Sequence, residues 1–185
     1  MEQKALRKTL WEEAGKAGLV LGAVSSVYLF LTQFLGESEM PALISMLVTT
    51  ILWAAKFGGC IWLMMYFMKR FAQQNAGIEN NTTYRFGLAV SVLSALVYAA
   101  AAFANTAFVS ADMIAENMKV LMEQMAPMMD SNSANQMEDL MARLPQITFF
   151  SNFFYCIIYG SALSFILSRN IPNKNPFADN KSEEW

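Results

Sequence analysis

Residues 41–70, PALISMLVTTILWAAKFGGCIWLMMYFMKR, form an apolar run broken by one charge, Lys56, before the basic pair Lys69-Arg70. At ~1.5 Å per residue, a helix over 42–68 crosses the ~30 Å of bilayer hydrocarbon with length to spare for tilt. That length and composition make it a transmembrane span. Lys56 falls close to the midpoint, where a charge costs ~2.5–3.5 kcal/mol and the lysine stem is too short to carry the amine comfortably to either interface. The side chain must therefore face protein rather than lipid. An ionisable residue in that position marks a candidate functional site.

Three further apolar runs, over about 17–35, 86–108 and 147–168, repeat the pattern. The 185 residues are 55% hydrophobic and 15% charged, against about 25% charge in soluble domains. The expected fold class is all-α and integral to the membrane: a four-transmembrane-helix bundle with an extracytoplasmic amphipathic helical hairpin between spans three and four. Residues 1–16 place Leu6, Leu10, Trp11 and Ala14 near one helical face, which reads as a cytoplasmic interfacial segment. The first span ends in GESEM without a small-x-small cleavage site, so it reads as a retained anchor rather than a signal peptide. Gly36 and Pro41 bracket a short turn, which makes the first two spans an antiparallel hairpin.

Between Ser110 and Gln146 the chain is acidic and methionine-rich, with apolar residues at helical spacing on both sides of a DSNSAN break. That is the pattern of two amphipathic helices. The tail, 169–185, has the Pro, Asn and charge content of a disordered end. Lys and Arg number four in the N-terminal segment, three between spans two and three, and three in the tail. The opposite side has only Lys119 and Arg143. By the positive-inside rule, both termini are cytoplasmic and the acidic hairpin lies outside.

Lipid tails do not drive apolar helices together, so association relies on small residues and polar pairing. Small residues recur every four positions at Ala14, Gly18, Gly22 and Ser26, at Gly87, Ser91, Ala95 and Ala99, and at Cys156, Gly160, Ser164 and Ser168. Span two adds Gly58 and Gly59 beside Lys56. These stripes are the expected packing faces, and one of them could serve a homodimer. With span midpoints as depth markers, Tyr28, Tyr98 and Tyr159 lie level with Lys56, and Ser25, Ser26, Ser94 and Ser161 are close. Together they would form a midplane polar layer. The sequence has no carboxylate at that depth, so the amine is neutral, hydrated, or paired with an anion or a partner's acid.

Other chemistry has weaker support. There is no His, which removes the commonest metal ligand and general base. No Ser-His-Asp set, Cys-His pair or phosphate-cradling Gly loop is present. Cys60 and Cys156 sit in apolar runs, as reduced packing residues do. Met118, Met122, Met125, Met128 and Met129 approach the spacing of a soft-cation site, but apolar packing is the ordinary use of such methionines. Asp112, Glu116, Glu138 and Asp139 could hold a cation or act as acid and base only if they converged; spread out, they are a solvated face. No catalytic residue, cofactor or metal site is expected. The expected partners are the lipid bilayer and a protein partner or second copy, with nucleic acid excluded by the absence of a basic domain.

In its order of elements the chain resembles the bacterial membrane family catalogued as domain-of-unknown-function family 4199. The resemblance rests on a span ending in Lys69-Arg70, a polar Gly/Asn loop, the opening TTYRFGLAV of the third span, and an acidic helical segment before the last, and it covers about Ala14 to Arg169. It implies a small four-span inner-membrane protein without assigned activity, and an accessory role in envelope glycan or lipid assembly. It assigns no role to Lys56. The combined expectation is a non-enzymatic accessory or scaffold subunit of an envelope-associated complex. A small oligomeric transporter or channel built around Lys56 is the alternative.

Overall fold

A computed structural model describes residues 2–36, 41–75, 78, 80–125 and 131–171. Its helices are α1 (Glu2–Gly36), α2 (Ala42–Gln74), α3 (Asn80–Ala104), α4 (Ala111–Met125), α5 (Ser131–Ala142) and α6 (Leu144–Asn170). No strand occurs among the described residues. Four stretches, Leu6–Gly36, Leu43–Gln74, Asn80–Val109 and Leu144–Asn170, are long and apolar enough to cross a membrane. The turn at 37–40, the connection at 126–130 and the tail from 172 lie outside the described residues.

Where the elements begin and end differs from the sequence expectation at several points. The interfacial segment and the first span are one continuous helix, because no proline separates them and Glu13, Lys16 and the small residues around them are all compatible with helix. Helix α2 runs past Arg70 to Gln74 and stops where Asn75 caps it, its backbone N–H and side-chain Nδ2 both donating to Phe71 O, at 3.2 and 3.0 Å. Most of the DSNSAN stretch is helical, since α5 starts at Ser131. Helix α6 starts at Leu144, with Pro145 in its first turn, where a missing N–H costs nothing. At its far end α3 widens into a π-turn over Asn105–Val109, closed by Ser110 N–H donating to Asn105 O at 2.8 Å.

Helix α3 is the hub, flanked by α1 on one side and α6 on the other. In its most apolar eighteen-residue stretch 44% of residues are buried, against none in the corresponding stretch of α2. The contacts fix the register. Gly18 of α1 meets Leu93 and Gly22 meets Val97, so α1 and α3 run parallel; Gly87 meets Ser164 and Ser91 meets Gly160, so α3 and α6 are antiparallel. These approaches need glycine: a Cβ on Gly22 would lie 2.6 Å from Val97 Cβ and 3.0 Å from Ser94 O. Ala95, Ala99 and Ser164 are fully buried at the same seams. Ser91 and Ser164 oxygens lie 3.4 Å apart across the α3–α6 contact, and each is 2.8 Å from a carbonyl one turn back in its own helix.

Packing is densest at the end where α1 and α3 begin and α2 and α6 finish. There Ala14, Ala17, Met68, Phe71, Phe86 and Val90 are almost fully buried, and Phe71 stacks on Phe86 at 4.2 Å with the rings 4° from parallel. Among the described residues, α2 is buried only at Met64, Met68 and Phe71. Towards its start it parts from the others, leaving Leu43, Met46, Leu47, Ile51 and Trp53 exposed.

Candidate functional site

Lys56 sits where α2 begins to part from the other helices. Antiparallel packing of α2 on α1 sets it opposite Tyr28, and one turn on it brings Cys60 Sγ within 3.8 Å of Ser25 Oγ. The Lys56 ammonium lies over two ring faces, 4.6 Å from the Tyr28 centroid and 4.9 Å from that of Tyr98. Phe57 is a more distant third at 5.9 Å. Tyr159 stands edge-on to Phe57 at 5.6 Å and lines the same cavity without presenting its face to the amine. The sequence pointed to hydroxyls around the amine; the geometry supplies π-clouds. Ser26 and Ser94 instead bond to carbonyls of their own helices, and Ser161 is not on the cavity wall.

The cavity beside Lys56 is about 90 Å³ and receives side chains from all four long helices. Its polar rim is Ser25, Lys56, Ser94 and Tyr98, and it closes on Leu21, Met64 and Val90 towards the packed end. Cys60 and Cys156, both free thiols, lie on its wall. Their composition context marks them as packing residues, but the four-residue spacing of Lys56 and Cys60 also puts those two on one helical face. Among the described residues no hydrogen bond or ion pair reaches the Lys56 amine. A cation held by ring faces gains about 0.5–2 kcal/mol, less than the ~2.5–3.5 kcal/mol cost of a midplane charge. The site therefore offers an amine whose hydrogen-bonding capacity is unspent among the described residues.

The other expected residues fall in different places. Gly18, Gly22, Gly87, Ala95, Gly160 and Ser164 lie at helix contacts. Gly58 and Gly59 do not: a Cβ on either would meet nothing within 4 Å, so the close approach expected there does not occur within the chain. The reason is rotation about the helix axis: Lys56, Phe57, Cys60 and Met64 take the face of α2 turned to the other helices, and Gly58 and Gly59 fall on the face turned away. Asp112, Glu116, Glu138 and Asp139 are all exposed, and Asp139 lies 4.0 Å from Arg143. Among the described residues no three His, Cys, Asp or Glu side chains gather as metal ligands would. Met118 and Met122 are half-buried and Met125 exposed, while Met128 and Met129 lie outside the described residues.

An all-helical chain with four helices long and apolar enough to cross a membrane, and a lysine between them, is of the membrane-protein class. The chain belongs to the family described as "Protein of unknown function (DUF4199)", whose sequence model matches residues 16–169. The match takes in every residue around Lys56 and most of each of the four apolar helices. No significant match was found among curated proteins or among solved structures.

Proposed function

We propose that this protein is a non-enzymatic accessory or scaffold subunit of an envelope-associated complex in the bacterial inner membrane. In this reading both termini are cytoplasmic, α4 and α5 form an amphipathic hairpin on the outer side, and α2 receives a transmembrane helix of a partner protein or a second copy. The observation that carries it is the uncovered face of α2 at Gly58 and Gly59, where added Cβ atoms would meet nothing. Inside a bilayer, helices associate where small residues let backbones approach. A glycine pair with no neighbour in its own chain has that approach still to make. The excess of Lys and Arg on one side of the spans supports the orientation.

The test uses the same glycines. Full-length protein solubilised in mild detergent is expected to elute as a complex or oligomer, and the Gly58→Leu/Gly59→Leu variant as a monomer with unchanged thermal stability. Monomeric wild-type protein with no co-purifying partner counts against the proposal. A second reading, a small oligomeric transporter or channel, is favoured by the cavity at Lys56, which all four long helices line. It requires Lys56→Leu to abolish solute flux in proteoliposomes while leaving assembly intact.

A further inference from the structure

A second cavity, of about 170 Å³, opens between α1, the end of α2 and the start of α3, at their basic end. Phe67, Phe71 and Phe86 form its walls and Lys16, Arg70 and Gln74 stand at its mouth. Its depth in a bilayer follows from the sequence: Lys16 immediately precedes the apolar run of α1, and Arg70 immediately follows that of α2. Both therefore lie at the boundary between hydrocarbon and headgroups, where phospholipid phosphates sit.

The electrostatics of the mouth are lopsided. The Lys16 ammonium is 2.6 Å from Glu13 Oε1 and largely neutralised by it. Arg70 has no carboxylate or hydrogen-bond partner among the described residues. One acid against two bases leaves one positive charge, carried by a planar guanidinium able to grip two phosphate oxygens at once. The Gln74 amide adds neutral N–H donors beside it. Below them the walls are aromatic and fixed, because Phe71 and Phe86 are 2% and 1% exposed and stacked face to face. A pocket with a single net cation at headgroup depth and a rigid apolar floor beneath it matches an amphiphile that has a singly charged phosphodiester above an acyl chain.

We propose that this cavity binds the phosphate of an anionic phospholipid, with Arg70 as its principal anion contact and the proximal acyl chain against Phe67. Basic pockets between transmembrane helices at the cytoplasmic face are a recurrent means of headgroup recognition. The proposal is independent of the reading of α2 and Lys56 above, since neither Gly58 nor Lys56 borders this cavity.

Native mass spectrometry of the full chain, released from micelles doped with phosphatidylglycerol, phosphatidylcholine or inorganic phosphate, tests it. Phosphatidylglycerol is expected to remain bound and phosphatidylcholine to be lost, with inorganic phosphate at equal phosphorus concentration failing to compete. Arg70→Gln is expected to weaken phosphatidylglycerol retention about fivefold, the factor one cation contributes at an anionic surface. Arg169→Gln is the control, because that guanidinium rests over the Phe165 ring at 4.3 Å, outside the cavity. Equal retention of the two lipids, equal loss in the two variants, or displacement by inorganic phosphate would each overturn the proposal. Melting of both variants in lipid-free detergent separates lost binding from lost folding.

Discussion

The contact of Gly160 with Ser91 gives the sharpest test of how the apolar helices hold together. A Cβ built on Gly160 would lie 2.5 Å from Ser91 Oγ and 2.6 Å from Ser91 Cβ, against the ~3.5–4.0 Å of a favourable carbon contact. Rotating the hydroxyl relieves the first clash but not the second, so Gly160→Ala must drive α3 and α6 apart by about 1 Å. Overpacking of that kind costs ~1–3 kcal/mol, and alanine's better helix propensity returns up to ~1 kcal/mol, leaving a net loss of about 1–2 kcal/mol. Ser91→Gly removes both clashing atoms, and the next neighbour, Ser91 Cα at 3.5 Å, is an ordinary contact. The double variant Gly160→Ala/Ser91→Gly should therefore recover at least ~1 kcal/mol relative to the sum of the single changes. Gly58→Ala, with no neighbour to meet, should be neutral or slightly stabilising. Equilibrium unfolding in mixed micelles supplies all four values. If Gly160→Ala proves as stable as Gly58→Ala, or if Ser91→Gly brings no recovery, the idea that glycine-mediated approach sets the α3–α6 seam is wrong.

Two further outcomes follow from the site and the orientation. Lys56→Met removes a cation whose ring contacts do not offset its burial, and should raise stability by about 1 kcal/mol in the same unfolding assay; a loss of stability would mean that the ammonium is satisfied in some way other than by Tyr28 and Tyr98. In a background lacking Cys60 and Cys156, a membrane-impermeant maleimide added to intact spheroplasts should label Gln136→Cys and leave Lys8→Cys unlabelled, both positions being exposed. The reverse pattern would invert the proposed topology.

The sequence carried the four apolar helices clearly, because an apolar run of spanning length has few alternative fates. It carried the level of the lysine site as well: Tyr28, Tyr98 and Tyr159, chosen by depth alone, all reach the same place, two of them around the amine. What it did not carry was which helix is central. The run with Lys56 stands out by composition, yet centrality in a bilayer is decided by small residues, and the stripe Gly87, Ser91, Ala95, Ala99 makes α3 the hub. Nor could depth markers say whether a tyrosine offers its hydroxyl or its ring, since that depends on how helices are rotated about their axes. Gly58 and Gly59 show the same limit: small residues permit close approach, but the rotation of α2 about its axis decides whether it happens.

Helix α1 is 35 residues long without a proline, so it extends about 52 Å, roughly 20 Å more than the hydrocarbon needs. The surplus is the charged first four turns, continuous with the segment that touches α3 through Gly18 and Gly22. Ala14 within that surplus is fully buried and Leu10 packs against the same core, so the extension is tied to the packed end of the helices. A helix built this way holds its first turns and its glycine contacts with α3 in one fixed relation.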